Sequence, residues 1–180
     1  MTRFEVMPSG DGRCRDVEVL RASMSRMEKR TDMRGSVTRR DEGERLVLGS
    51  AVNRIVFGGA DTDGSSSVLE TVLEANWDGV PLHYHVRVDH VFVVLSGAVH
   101  ITIGETRYVL TSGDVAWVPR GEGHELGTGE QPCSLLRLDT PQPLDGLVRD
   151  LTAVYAHGST LDPAVADTIM ARHDTHRIID

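Results

Sequence analysis

Between Glu44 and Thr140 the sequence is a succession of short segments rich in valine, isoleucine and leucine. Glycine, serine, aspartate and asparagine separate these segments at intervals of roughly ten residues. Such a regular series of strand-like runs predicts an all-β sandwich or barrel. The run HVFVVL, which begins at His90, is apolar on both faces, as expected for a strand packed between two layers. The runs that carry the prediction are RLVLGS, NRIVFG, SVLETVL, HVFVVLSG, VHITIG, TRYVLTSG, DVAWVPRG and SLLRLDT.

The regions on either side of these runs differ in composition. We therefore expect three parts: an N-terminal extension over residues 1–40, a β-barrel over residues 41–141 and a helical segment over residues 142–180. The extension is polar and rich in charge. A loosely ordered segment is favoured there, and a short amphipathic helix from about Val17 to Met27 is the alternative.

The C-terminal segment is predicted to form two helices. After Pro143, the runs LDGLVRDLTAVYAH and DPAVADTIMARH are typical of helices. Asp162 is placed to cap the second helix, with Pro163 in its first turn. We expect these helices to cover the outside of the barrel or a neighbouring subunit.

Composition excludes several classes of function. The formal net charge of −8 argues against a nucleic-acid or anionic-membrane partner, because both require a basic face. No apolar run approaches the roughly 20 residues that span a bilayer, and the first residues do not resemble a signal peptide. The two cysteines, Cys14 and Cys133, do not make a disulfide framework, and Cys133 is expected to pack in the core. A cytoplasmic protein is the expectation.

Three of the eight histidines fall in the segment HYHVRVDH. Alternate residues of a strand face one side, so His83 and His85 should point the same way. Residues 86–89 should turn the chain so that His90 begins a new strand, and His124 follows another strand and a turn. Burying four imidazoles without partners is costly, and a divalent metal would resolve that cost. The alternative is a set of surface histidines at strand ends.

The same segments resemble the two motifs of the cupin superfamily, a small jelly-roll barrel with a metal at its centre. In the first motif, HYH is followed by a four-residue spacer, His90, VFVVLS and Gly97. In the second, Gly113 is followed by DVAWV, a Pro-Arg-Gly turn and His124. The sequence departs from the family pattern in its displaced glycine, Gly79, in Thr128, which replaces an asparagine, and in His90, which replaces a glutamate.

The resemblance implies one divalent metal ion, which could be iron, manganese, nickel, copper or zinc, held by His83, His85, His90 and His124. Imidazole coordinates these ions as readily as carboxylate does. The ligand set resembles that of four-histidine cupins, which include a polyketide cyclase type and a manganese type. Exchanging a carboxylate for a neutral imidazole leaves the metal a stronger Lewis acid but removes a built-in base.

Several activities are compatible with this resemblance. The first is a metal-dependent enzyme acting on a small organic substrate, as a quercetinase-like or related dioxygenase. The C-terminal helices favour this reading, since small quercetinase-like cupins carry a similar extension. One alternative is a redox-neutral polyketide cyclase or isomerase that uses the metal as a Lewis acid. Another is a non-catalytic barrel that binds a small molecule. Cupins are often dimers, so a homodimer is an option.

Further residues are candidates for roles around the histidines. Asp89 could orient a ligand imidazole, although a solvated turn aspartate is the alternative. Glu122 could reach the barrel mouth as a catalytic base. Phe92, Val94 and Trp117 would line an apolar substrate pocket if the strand register is as assumed, and would otherwise be ordinary core.

Overall fold

A computed structural model of the chain describes residues 34–155 and 162–179. Cys14 and the helix considered near Val17 lie outside these residues. The described residues from Val37 onward form one compact unit. Its strands are β1 (Glu44–Leu48), β2 (Ala51–Phe57), β3 (Ser67–Leu73), β4 (Val80–His85), β5 (Asp89–Ile103), β6 (Thr106–Thr111), β7 (Val115–Val118), β8 (His124–Gly127), β9 (Cys133–Thr140) and β10 (Thr175–Arg177).

The strands form one curled antiparallel sheet, which confirms the predicted all-β jelly roll. The main path runs β1-β2-β3-β9-β5-β8-β4-β10, and β6 and β7 each pair with β5. The long strand β5 joins the two sides of the barrel, because its first half pairs with β7 and β9 and its second half with β6 and β8. Gly97 lies between these halves with φ of +74°, and a side chain there would collide with the carbonyl oxygen of Pro132.

The barrel interior is filled by side chains from alternate positions of these strands. Every second residue is buried in β3 and in β2 as far as Ile55, as a strand with one face in the core requires. Cys133 packs in this core, as predicted. The cluster consists of Ala51, Leu73, Phe92, Val94, Val99, Ile101, Ala116, Val118, Leu126, Cys133 and Leu135.

The C-terminal segment contains the two expected helices, α1 (Asp145–Tyr155) and α2 (Pro163–Arg172). The Asp162 side chain caps α2 by accepting a hydrogen bond from the Ala164 amide at 2.8 Å. Among the described residues, neither helix combines the length and the apolar character needed to cross a membrane.

Strand β10, which follows α2, did not appear in the sequence prediction. It pairs antiparallel with β4, so that Thr175 lies opposite His85 and Arg177 lies opposite His83. Three residues are too few to show an alternating pattern, so the sequence prediction included them in the helical segment over residues 142–180. The end of the chain thus contributes directly to the sheet that carries two histidines, while the boundaries at residues 40 and 141 remain predictions.

Candidate metal centre

The fold brings the four predicted histidines together inside the barrel. His83 and His85 share the inward face of β4, separated by the less buried Tyr84. His124, the first residue of β8, lies opposite His83 in the sheet, and His90 stands at the start of β5. No more than 6% of the surface of any of the four is exposed. All four side chains therefore lie in the barrel interior.

Three of the imidazole rings are close enough to share one ion. Each of His83, His85 and His124 offers a ring nitrogen, and these three atoms lie within 4.8 Å of one another. The ring centroids of His83 and His124 are 4.2 Å apart. The His90 ring stands beside this group, with its centroid 4.6 Å from that of His85 and 5.1 Å from that of His124.

Every one of these rings is held through its Nδ1 atom. The acceptors are Pro81 O for His83 at 2.7 Å, Asp174 O for His85 at 3.0 Å, Asp139 Oδ1 for His90 at 2.8 Å and Glu122 O for His124 at 3.1 Å. A carbonyl or carboxylate oxygen can only accept, so each Nδ1 carries a proton, and in a neutral ring Nε2 then keeps its lone pair.

The free lone pairs are the feature that fits a metal ion. The Nε2 atoms of His85 and His124 are buried and have no hydrogen-bond partner among the described residues. An unpartnered polar atom in the interior costs free energy, which a divalent cation would offset by accepting the lone pair. Histidines whose other nitrogen is bonded to a carbonyl or carboxylate are the usual form of histidine metal ligands. The donor set therefore suits a divalent transition metal.

Burial keeps three of these rings neutral. It lowers the pKa of His83 to about 4, that of His85 to about 3 and that of His124 to about 2. Contact with neighbouring histidines lowers each value further. Neutral imidazole is the form that binds metal, so these rings would be available as ligands at neutral pH without losing a proton.

We expect the metal-free chain to lose stability as the pH falls from 6.5 to 5. In the unfolded chain His83, His85 and His124 titrate near pH 6.5, whereas in the folded chain they stay neutral down to about pH 4 or below. The unfolded state then binds more protons, so acidification favours unfolding across this window. Urea denaturation of the chelator-treated chain at several pH values measures the effect. A free energy of unfolding that is flat between pH 6.5 and pH 5 would contradict it.

Asp139 is a functional candidate that the sequence reading missed. Its side chain is completely buried and accepts hydrogen bonds from His90 Nδ1 at 2.8 Å and Ser67 Oγ at 2.6 Å. Arg137 Nε lies 2.9 Å from the same carboxylate. Although burial opposes ionisation, Arg137 and these hydrogen bonds hold the Asp139 pKa at about 2. The ionised carboxylate of Asp139 thus orients the His90 ring.

The two acidic residues proposed from sequence have other partners. Asp89 does not orient a histidine: it accepts hydrogen bonds from Arg120 through the backbone amide at 2.8 Å, Nε at 2.9 Å and Nη2 at 2.7 Å. Arg120, the arginine of the Pro-Arg-Gly turn, donates to both carboxylate oxygens of Asp89. The Glu122 carboxylate lies against Gly104 and does not line the cavity, and only the backbone carbonyl of Glu122 contacts His124.

A cavity of about 370 Å³ adjoins the histidines, within the usual range for small-molecule sites. Its lining is mostly apolar and includes Phe92, one of the three pocket candidates, and Trp77. Val94 is instead buried in the core. Trp117 is 62% exposed on the outer face of β7, because Ala116 and Val118 are the inward residues of that strand.

The C-terminal helices contribute to this cavity as well as covering the barrel. Leu147, Val148 and Leu151 of α1 and Met170 of α2 are among the lining residues. The apolar positions of the helices therefore face a potential ligand and do not simply shield the outside of the barrel.

A comparison with known proteins agrees with this architecture. The cupin domain model matches residues 69–139. Quercetin 2,3-dioxygenase from Bacillus subtilis (strain 168) is 35% identical over 88 residues, which cover 48% of this chain and 25% of that protein. The chain thus spans about a quarter of the length of this curated relative.

Solved structures show the same fold at low sequence identity. KdgF from Halomonas sp. matches with a TM-score of 0.54 and 18% identity, over 61% of this chain and 96% of that one. The polyketide cyclase RemF from Streptomyces resistomycificus matches with a TM-score of 0.54 and 20% identity, over 61% and 81%. Together, the domain model that matches β3 to β9 and these structural similarities support a cupin fold for the barrel.

Proposed function

We propose that this protein is a metal-dependent enzyme in which His83, His85, His90 and His124 hold one divalent metal ion and a small organic substrate occupies the adjoining cavity. The observation that carries the proposal is the set of four buried imidazoles whose Nδ1 atoms are all bonded, with the Nε2 atoms of His85 and His124 left unpartnered. The most specific form of the proposal is a quercetinase-like or related dioxygenase. The sequence similarity to quercetin 2,3-dioxygenase supports that form.

When bound, the metal would supply Lewis acidity and, if it is redox-active, chemistry with dioxygen. The chain itself supplies a set of histidine donors beside a mostly apolar cavity. Asp139 is positioned to make His90 a more basic donor than an imidazole bonded to a carbonyl, because a carboxylate stabilises positive charge on the ring. Arg137 offsets the charge of that carboxylate, so the pair adds little net charge to the site.

A redox-neutral cyclase or isomerase is the second candidate. It is favoured by the lack of a glutamate among the described residues that line the cavity, where the one carboxylate, that of Asp167, accepts from Arg177 through Oδ2 at 2.8 Å. Proton transfer by a glutamate ligand is therefore not available, while four neutral ligands would leave the metal strongly electrophilic. The fold similarity to a polyketide cyclase is compatible with this reading.

Dioxygen uptake distinguishes these activities. The chain would be reconstituted separately with iron, manganese, nickel, copper and zinc and mixed with quercetin and other enolisable phenols, with oxygen followed by electrode and products by mass spectrometry. Oxygen consumption that requires a redox-active metal and disappears in His124→Ala would support the dioxygenase. Conversion under argon without a change in substrate mass would support the cyclase or isomerase. Binding without turnover would favour a non-catalytic barrel.

The turn before β10 should contribute to metal affinity through Asp174. Its carbonyl oxygen holds His85, its φ is +58° and its side chain accepts a hydrogen bond from the Arg87 amide at 2.6 Å. We expect Asp174→Leu to raise the metal dissociation constant by about 10- to 100-fold, because leucine is strained at positive φ and leaves the Arg87 amide unpaired.

Asp174→Asn is the matched control for this prediction. Asparagine tolerates the same backbone conformation and retains an acceptor oxygen, so its metal affinity should stay close to that of the wild type. Competition with a metal-binding dye measures both variants. Equal affinity of Asp174→Leu and the wild type would show that this residue does not position His85.

A further inference from the structure

Arg137 is a charged side chain on the inner face of the barrel. It belongs to the inward row of β9, between the buried residues Leu135 and Asp139. Its cross-strand neighbours, Leu69 and Phe92, are also buried. Only 19% of the Arg137 side chain is exposed, and it lines the cavity next to the histidines. Because a guanidinium remains protonated in proteins, this position carries a permanent positive charge.

Much of the hydrogen-bonding capacity of Arg137 is unused. Its Nε atom lies 2.9 Å from Asp139 Oδ1, which is close enough for attraction between the charges but is not aligned as a hydrogen bond. Both Nε and Nη2 are buried without an acceptor among the described residues. Leaving buried N–H groups unpaired costs free energy, so the site has a preference for an acceptor that the chain does not itself provide.

The location of these donors ties them to the proposed metal centre. The oxygen of Asp139 that pairs with Arg137 also accepts the hydrogen bond from His90. An acceptor group bound by Arg137 would therefore lie in the same part of the cavity as the fourth histidine. The rest of the lining is mostly apolar, which suits a hydrophobic skeleton.

We infer that Arg137 anchors a delocalised oxyanion, such as a carboxylate, enolate or phenolate, on a substrate whose remaining skeleton is apolar. This inference rests on the proposed function, since it specifies the class of substrate for the same site. The planar guanidinium suits such oxygens because it can donate two parallel hydrogen bonds, which are strengthened by the opposite charges. A substrate that arrives already ionised also needs no carboxylate base in the cavity.

A matched pair of probes tests the anchor without relying on turnover. The probes are 3-phenylpropanoate and 3-phenylpropanamide, which share shape and apolar skeleton but differ in charge. Dissociation constants would be measured by chemical-shift titration of the full-length, ¹⁵N-labelled chain after metal removal with a chelator, because a carboxylate could otherwise bind the metal directly. We expect the carboxylate to bind at least about tenfold more tightly than the amide, and Arg137→Met to remove that preference.

Arg177→Met is the comparison, because Arg177 also lines the cavity but its Nη2 already donates to Asp167 at 2.8 Å, which leaves Nε as its unpaired buried donor. This variant should change the preference by less than about twofold, since charge–charge attraction without a direct contact is weak. Equal binding of both probes by the wild type, or an equal loss in Arg177→Met and Arg137→Met, would overturn the inference.

Two further results keep this test independent of folding and of the metal proposal. If Arg137→Met does not fold, Arg137→Lys replaces it. Lysine keeps the charge but not the planar fork, and a partial loss of the preference is expected, whereas full retention would overturn the anchor. A wild-type chain that prefers the carboxylate but never retains metal would support the anchor while refuting the metal centre. A wild-type chain that retains metal but binds both probes equally would support the metal centre while refuting the anchor.

Discussion

Alanine in place of His85 or His124 is expected to abolish metal retention. The Nε2 atoms of these two rings are buried and have no partner among the described residues, so a metal ion is the partner that we propose for them. Removing either ring takes away one ligand of the set and leaves a void in a buried site. The metal content after gel filtration, measured by elemental mass spectrometry, should fall from near one ion per chain to near none.

His100→Ala is the control for these two variants. His100 lies on the second half of β5, against Gly129, and does not line the cavity, although its Nδ1 atom is also buried without a partner. This variant should retain metal at the level of the wild type. If His85→Ala and His124→Ala both kept their full metal content, the ligand assignment would be wrong.

Asp139→Asn should produce the largest loss of stability among the single changes considered. The substitution removes the carboxylate that balances Arg137 and accepts from His90 and Ser67, while preserving its size. Breaking a buried ion pair by neutralising one partner typically lowers the free energy of unfolding by about 3–5 kcal/mol, because the other charge stays buried without compensation. Urea denaturation of the metal-free chain at neutral pH measures this change.

Asp89→Asn provides the comparison for this prediction. Asp89 also pairs with an arginine, but Arg120 is exposed and the pair lies in a turn at the surface. Exposed pairs contribute little to stability because water screens them, so the loss should be a small fraction of that for Asp139→Asn. Similar losses in the two variants would contradict the role assigned to the buried network of Asp139.

The positions of the four histidines could be predicted because they depend on local rules. His83 and His85 are two residues apart in a strand, which puts both on one face, and the turn before His90 restarts the pattern on the next strand. The same rule failed for Trp117. Both faces of the run VAWV are apolar, so alternation alone could not show that Ala116 and Val118 are the inward residues.

The partners of the histidines could not be predicted in the same way. Asp139 lies 49 residues after His90 in the sequence, and Asp174 lies 89 residues after His85. Only the pairing of β5 with β9 and of β4 with β10 brings them together. One signal for Asp139 was present, since Arg137 and Asp139 alternate with Leu136 and Leu138 along β9 and so share a face. That pattern did not reveal which face was inward.

Metal content of the untagged chain as purified is the most direct test of the proposed centre. We expect elemental mass spectrometry to find close to one divalent transition metal ion per chain. Iron, manganese, nickel or copper would favour oxygen chemistry, and zinc would favour cyclisation or isomerisation. A chain that holds no metal, even after reconstitution with each of these ions, would contradict the metal centre and leave a barrel that binds its ligand by cavity shape and Arg137 alone.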